Sequence, residues 1–183
     1  MKNCIILHLY YQDLWPEFWS FLKAIKDANT DLYVTVHTTE TEFYKDIKDN
    51  STEVYLIENK GQDFGGFLYV LNKIRDKDYL TITKLHSKKS TYLSPPEGES
   101  WRKDLYLPII KSKELFNDLC RQFELNGNIF IAGNRSLVKT RNSYKWNWDI
   151  FRIKKLDDIL DTNLMPNEKL ISGSMYMFSK KYL

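Results

Sequence analysis

Apolar segments of strand length alternate with segments of helical spacing through the first half of this chain. That alternation constrains the fold more than any other feature. Cys4-Ile5-Ile6-Leu7, inside a strand read from Lys2 to Tyr10, is a continuous apolar run of the kind a central parallel strand requires. Asp13 is placed to cap a helix with Pro16 and Glu17 in its first turn, and Phe18, Phe21, Leu22 and Ile25 then recur at helical spacing. Asp31 to Val36, rich in β-branched and aromatic residues, reads as a second strand. Thr39 or Thr41 starts a short polar helix carrying Phe43, Tyr44 and Ile47. Glu53 to Ile57 is a third strand, Phe67, Val70, Leu71 and Ile74 trace a helix face, and Tyr79 to Leu85 is a fourth strand.

A β-α-β-α-β-α-β order predicts an α/β fold: a mainly parallel sheet, right-handed crossovers and helices on both faces. Ligands of such sheets sit beyond the carboxyl ends of the strands. The segments to inspect are therefore His8 to Tyr11, His37 to Thr39, Glu58 to Asp63 and His86 to Ser90. The second half is less regular. Thr91 to Ser100, with Pro95-Pro96-Glu97-Gly98, reads as a loop long enough to form a flap, and Trp101 to Phe123 as helix interrupted near Pro108. Asn128 to Gly133 reads as a strand, Asn134 to Asn167 as irregular with a helix near Leu156 to Leu160, and Leu170 to Phe178 as a last strand interrupted at Gly173. No repeat or linker divides the chain, so residues 1–183 are expected to form one domain.

Composition removes several classes. A chain of 183 residues that is 43% hydrophobic and 28% charged has the makings of a packed core, not of a disordered segment. No apolar run approaches the ~18 residues a membrane span needs. The segment after Met1-Lys2 turns polar too soon for a signal peptide, so a cytoplasmic location is expected. Cys4 and Cys120 make neither a disulfide framework nor a zinc cluster and are expected as buried thiols. With 27 basic and 24 acidic residues the net charge is +3, too mild to argue for nucleic acid.

Three of only seven glycines, Gly61, Gly65 and Gly66, fall between the third strand and its helix. Gly61 permits a positive φ or a close ligand approach, and Gly65 and Gly66 are candidates for exposing backbone N–H groups to a ligand. Neither a dinucleotide fingerprint nor a P-loop is present. Asp63 can be a helix cap, a ligand contact or both. Lys84-Leu85-His86-Ser87-Lys88-Lys89-Ser90 makes a cationic turn rich in donors at a strand's carboxyl end, suited to a diphosphate; the plain alternative is a solvated basic loop. Ser100 can cap the next helix, with Trp101 and Arg102 closing over a ring or phosphate or simply packing. Asp76-Lys77-Asp78 lies at the wrong end of the sheet for a crevice metal, and Asp157-Asp158 suits a solvated helix face. No cluster has metal-ligand spacing. Trp146-Asn147-Trp148-Asp149 suits sugar stacking or core packing.

Taken together, His8-Leu9-Tyr10-Tyr11, Asn59-Lys60-Gly61-Gln62-Asp63, the Lys84 to Ser90 run and Trp101-Arg102 resemble the rhamnan synthesis F family, glycosyltransferases of bacterial cell-wall and lipopolysaccharide rhamnose polymers. Ile131-Ala132-Gly133 and Gly173-Ser174-Met175-Tyr176-Met177-Phe178 share the likeness more loosely, while Gln62 replaces the family's usual Arg and Gly66 its common Pro. The resemblance implies a GT-A-like, Rossmann-like nucleotide-sugar fold. It also implies donor contacts from His8, Tyr10, Tyr11, Asn59, Gly61, Asp63, His86, Ser87, Lys88, Lys89, Ser90, Trp101 and Arg102. Many GT-A enzymes hold a divalent metal with an Asp-x-Asp after the fourth strand; here that place belongs to Lys84 to Ser90, so no metal or other cofactor is expected and Lys88 and Lys89 are expected to supply the positive charge.

The expected function is transfer of a sugar such as rhamnose from a nucleotide-sugar donor to a cell-surface polysaccharide. The expected partners are that donor, a glycan acceptor and peripheral contact with membrane-bound glycan-assembly machinery at the inner face of the membrane. The alternative is a nucleotide-sugar or glycan-binding domain without catalysis, because the chain ends at Leu183 just after the Gly-Ser-Met strand and names no base beyond the guesses Asp149 and Glu168. A nucleic-acid surface using Lys88, Lys89, Arg135, Lys139 and Arg141 is the third reading, and its charges are scattered.

Overall fold

A computed structural model describes residues 1–140 and 169–182. The chain divides into two compact units, one of Met1–Asn134 with Ser174–Leu183 and the other of Arg135–Gly173. In chain order the larger unit contains β1 (Lys2–His8), α1 (Trp15–Ile25), β2 (Thr30–Val36), α2 (Tyr44–Asn50), β3 (Glu53–Leu56), α3 (Gln62–Lys73), β4 (Tyr79–His86), α4 (Pro95–Ile110), α5 (Lys113–Leu125) and β5 (Ile131–Ala132). The smaller unit contributes β6 (Val138–Thr140) and β7 (Lys169–Ile171), an antiparallel pair in which Val138 faces Ile171. The last strand, β8 (Tyr176–Ser179), returns to the larger unit.

The main sheet has six strands in the order β3-β2-β1-β4-β8-β5. The expected βαβ alternation is present from β1 to β4, and these strands run parallel. The expectation of a mainly parallel sheet is corrected at the other edge. β8 is antiparallel to β4, and β5 to β8, so the sheet is mixed. β5, reached through α4 and α5, keeps the direction of β1 to β4, and β8 is the strand that runs against them.

Alternation along each strand divides the core between two faces. Cys4 and Ile6 of β1, Tyr33 of β2 and Ile82 of β4 pack with Phe67, Val70 and Ile74 of α3. The other face carries Thr81, whose hydroxyl lies 3.7 Å from the Cys120 thiol of α5. Helices therefore cover both faces, as expected, and both cysteines are buried and unpaired.

Several local expectations shift. Asp13 does not cap α1; it lies in a 3₁₀ turn, Gln12–Leu14, and its carboxylate pairs with Lys89 at 2.5 Å. The short polar helix starts at Tyr44, after Thr39 and Thr41. The expected flap is largely helix. Pro95-Pro96-Glu97-Gly98 forms the first turn of α4, where Ser94 and Glu97 make a capping box and proline suits positions whose N–H would be unpaired anyway. Ser100 is accordingly inside the helix and not its cap. Pro108 does not interrupt α4. A proline frees the carbonyl four residues earlier, and the Asn134 side chain donates to that Asp104 carbonyl at 2.7 Å. Trp146 to Asp149, Asp157-Asp158, Arg141, Glu168 and the helix read near Leu156 lie outside the described residues.

Candidate functional site

His8 and His86 end β1 and β4 and are register partners, so their rings stand side by side on the face that α3 covers. Beyond them the chain opens a cleft of about 340 Å³ at the carboxyl ends of the strands. It is lined by His8, Tyr10, Tyr11, Asn59, Gln62, Asp63, His86 and the stretch Ser87 to Tyr92. Of the expected contacts, all but Gly61, Trp101 and Arg102 line it. A neighbouring hollow of about 530 Å³ shares Tyr10 and Tyr11 and continues past Asp13, His37 and Thr38 to Phe43.

Lys84 is the residue that organises the floor. It shares the β4 face of Ile82 and His86, and its side chain is fully buried. Its ammonium donates to Asp63 Oδ2 and, at 2.9 Å, to the carbonyl of Ser174; the Ser174 hydroxyl donates to the same Asp63 oxygen at 2.9 Å. It also lies 4.3 Å from the centroid of Phe64. Burial pulls the Lys84 ammonium below its ordinary pKa, against the pull of Asp63. Burial alone would raise Asp63, but the His86 imidazole, the Lys84 ammonium and the Ser174 hydroxyl outweigh it and hold the carboxyl below the usual range. Asp63 is thus not a helix cap; Gly61 is the capping residue, with no side chain to offer.

The two histidines are uncharged at neutral pH. Burial, reinforced by Lys84, pulls His86 down to about 3, and burial pulls His8 down to about 4. His8 Nδ1 is 2.8 Å from the Thr35 hydroxyl. His86 Nδ1 is buried with no hydrogen bond and sits 3.6 Å from Asp63 Oδ2.

The glycines act by fit. Gly61 takes φ 75°, a left-handed turn that favours glycine. The N–H of Gly65 closes the first helical hydrogen bond to Gly61 at 2.9 Å, so the expectation of glycine N–H groups open to a ligand moves to Gln62, Asp63 and Phe64 of the first turn. A Cβ on Gly66 would stand 2.7 Å from both His8 Nδ1 and the Thr35 hydroxyl. Among the described non-glycine residues, positive φ occurs at Gln62, Ser90 and Ser174, two lining the cleft and one holding Asp63. Such strain gathers where surrounding contacts over-determine the backbone.

The lysines divide by partner. Lys89 is paired with Asp13 and lies 5.1 Å from the Tyr11 ring centroid. Lys88 lines the cleft without a carboxylate partner among the described residues, so the cleft's unneutralised positive charge is Lys88 rather than the Lys88–Lys89 pair. Ser87 accepts the Tyr11 N–H at 2.8 Å and joins the two loops. Arg102 is a strut: its guanidinium grips both oxygens of Glu17, at 2.9 and 2.6 Å, and donates to the Lys88 carbonyl at 3.0 Å. Tyr106 also donates to Glu17, at 2.8 Å. Trp101 is half-buried and outside the cleft lining.

Among the described residues no group of three His, Cys, Asp or Glu side chains comes together to hold a metal ion, and Asp63 already faces the Lys84 ammonium. Nor is any described helix long and apolar enough to cross a membrane. Lys84, read with the cationic turn, instead falls on the inward face of an apolar strand, where a lysine needs a carboxylate. Gln62, inside the Glu58 to Asp63 segment marked by topology, lines the cleft, and Thr91 and Tyr92 do so without having been marked.

The family model described as rhamnan synthesis protein F matches residues 1–169. The chain belongs to that family. Two relatives are both named uncharacterized protein WxcX, from Xanthomonas campestris pv. campestris strains B100 and ATCC 33913. Each is 31% identical over 112 residues, covering 58% of this chain and 15% of the relative. The rhamnan synthesis F chain therefore spans 15% of the length of the curated relatives it matches. No solved structure gives a significant match.

Proposed function

We propose that this chain binds a nucleotide-sugar donor in the cleft at the ends of β1 and β4 and serves sugar transfer to a cell-surface polysaccharide, as a GT-A-like glycosyltransferase domain. The family's name supports rhamnose as the sugar. In that reaction the bond from the sugar's anomeric carbon to the diphosphate breaks and a bond to an acceptor hydroxyl forms. The hydroxyl proton passes to a base, and the nucleoside diphosphate leaves.

One observation carries this reading: an unpaired lysine, a helix amino terminus and tyrosine rings line one cleft at the carboxyl ends of parallel strands. Lys88 and the first N–H groups of α3 provide charge and donors for a diphosphate, without a metal. Tyr10, Tyr11 and Tyr92 offer ring faces for a base or sugar. Peripheral contact with membrane-bound glycan-assembly machinery fits a growing polysaccharide acceptor.

Calorimetric titration with UDP, GDP and dTDP tests it. At least one should bind in EDTA, and Lys88→Ala should weaken that binding about tenfold, the order expected for one charge-assisted contact. Complete loss of binding in EDTA, restored by manganese, would contradict the metal-free reading. Binding without turnover of any donor would favour a non-catalytic donor-binding domain. That second reading is supported by Asp63, the one carboxylate lining this cleft among the described residues, being tied to Lys84.

A further inference from the structure

We infer that the floor of the cleft, formed by His8, Asp63 and His86, is a hydroxyl-binding subsite that takes the uncharged sugar ring of the donor. The inference rests on the donor reading and divides the cleft in two: hydroxyls at the floor, phosphates at Lys88.

The geometry supplies the first part. His8 and His86 are both more than nine-tenths buried, and both line the cleft. On its Nδ1 side His8 is held by Thr35, and His86 faces Asp63 at 3.6 Å. Neither Nε2 makes a hydrogen bond among the described residues, and neither is sealed from solvent as His86 Nδ1 is. Asp63 offers a second oxygen in the same way: Lys84, Ser174 and His86 all approach Oδ2, and Oδ1 has no partner among the described residues. Two well-buried histidines and a partly buried aspartate that line the cleft therefore each keep a polar atom without a protein partner among the described residues, and such groups ordinarily find partners.

Charge and chemistry decide what they take. Asp63 and Lys84 cancel, and both imidazoles are neutral at pH 7, so the floor has no net charge. The carboxylate beside His86 Nδ1 favours the tautomer protonated there, which leaves His86 Nε2 as an acceptor. Asp63 Oδ1 only accepts. A phosphate oxygen, itself an acceptor, would find no donor at these two atoms and a carboxylate opposite it. A metal would need the three donors on one point, which they do not reach. A polyhydroxyl ring presents several O–H donors at different positions, and the adjoining tyrosines offer surfaces for its C–H faces.

The test compares UDP, GDP and dTDP, each with and without its attached hexose, by calorimetry, together with saturation-transfer NMR of free L-rhamnose and D-glucose. His86→Phe keeps the ring's shape and removes a buried nitrogen that has no partner, so its fold is expected to survive; His86→Leu is the second variant. In the wild type the sugar conjugate should bind about fivefold tighter than the bare diphosphate, the order of one hydrogen bond. Both variants should bring that ratio to about one, with the affinity for bare diphosphate changed less than about twofold. Lys88→Ala should weaken both ligands and keep the ratio. Equal binding of conjugate and diphosphate by the wild type, or a ratio unchanged in both variants, overturns the subsite. If no nucleotide binds but a free sugar does, and His86→Phe abolishes that signal, the donor reading fails while the hydroxyl subsite stands. Absence of every signal overturns both.

Discussion

Two buried ion pairs lie close along this chain's functional edge, and they are built differently. Glu17 and Arg102 form a closed unit: both carboxylate oxygens are taken, Tyr106 adds a third hydrogen bond, and the spare guanidinium nitrogen holds the Lys88 carbonyl. Asp63 and Lys84 form an open one. A single carboxylate oxygen receives the ammonium and the Ser174 hydroxyl, the other is unused, and a neutral histidine stands beside it with an unpaired nitrogen. A fully satisfied network fixes a loop in place. A partly satisfied one leaves atoms open to water or to a ligand.

Breaking the closed pair should have the largest effect on stability. Arg102→Ala leaves Glu17 buried with one partner and should cost about 3–5 kcal/mol in urea denaturation. It should also weaken nucleotide binding, because the loop carrying Lys88 loses its anchor. A cost below about 1 kcal/mol would mean that this pair is as solvated as a surface one.

The next effect comes from pH. His8 and His86 have folded-state pKa values of about 4 and about 3, below the ordinary histidine value. Below that ordinary value the unfolded chain takes up protons that the folded chain refuses. Their contribution is therefore complete above about pH 6.5 and shrinks as pH falls through the window to about 4, by up to about 1.4 kcal/mol per pH unit for each ring. Asp63 and Glu17, both depressed, lose stability in the same direction at lower pH. Urea midpoints measured from pH 7.5 to 4.5 should fall steadily in the wild type and less steeply in His86→Phe. Parallel slopes would place a charged His86 in the folded protein and remove the neutral floor.

Gly66→Ala should cost about 1–3 kcal/mol, since its Cβ overlaps His8 and Thr35 and must push one of them aside. Its sharper reading is functional: the tilt imposed on His8 should lower the preference for the sugar conjugate. Ser94→Ala removes the capping box of α4, which does not itself line the cleft, and should cost about 1 kcal/mol without changing that preference.

The open pair was half legible in the sequence. Periodicity located the crevice because β1 to β4 follow the crossover rule, and residues from three of the four strand-end segments line one cleft, while His37 and Thr38 fall in the neighbouring hollow. Asp63 was visible as a candidate, and Lys84 was read with the cationic turn, whereas its side chain is buried and paired with Asp63. Arg102 looked like a ligand contact because its motif position says nothing about Glu17, which lies 85 residues away. Gly61 takes the positive φ its position suggested, but Gly65 and Gly66 were found for the wrong reason. Close packing of α3 against His8 and Thr35, rather than exposure of backbone N–H groups, explains Gly66, and only the three-dimensional neighbours reveal that. β8 escaped the parallel reading because its direction is not set by the βαβ crossovers that orient β1 to β4.

A crystal structure of the chain with the nucleotide sugar that binds best tests the divided cleft most directly. The sugar hydroxyls should lie within hydrogen-bonding distance of His86 Nε2, His8 Nε2 and the free oxygen of Asp63, with the diphosphate on Lys88 and the first turn of α3. A diphosphate seated against Asp63, or a sugar lodged in the neighbouring hollow beside His37 and Phe43, would contradict it.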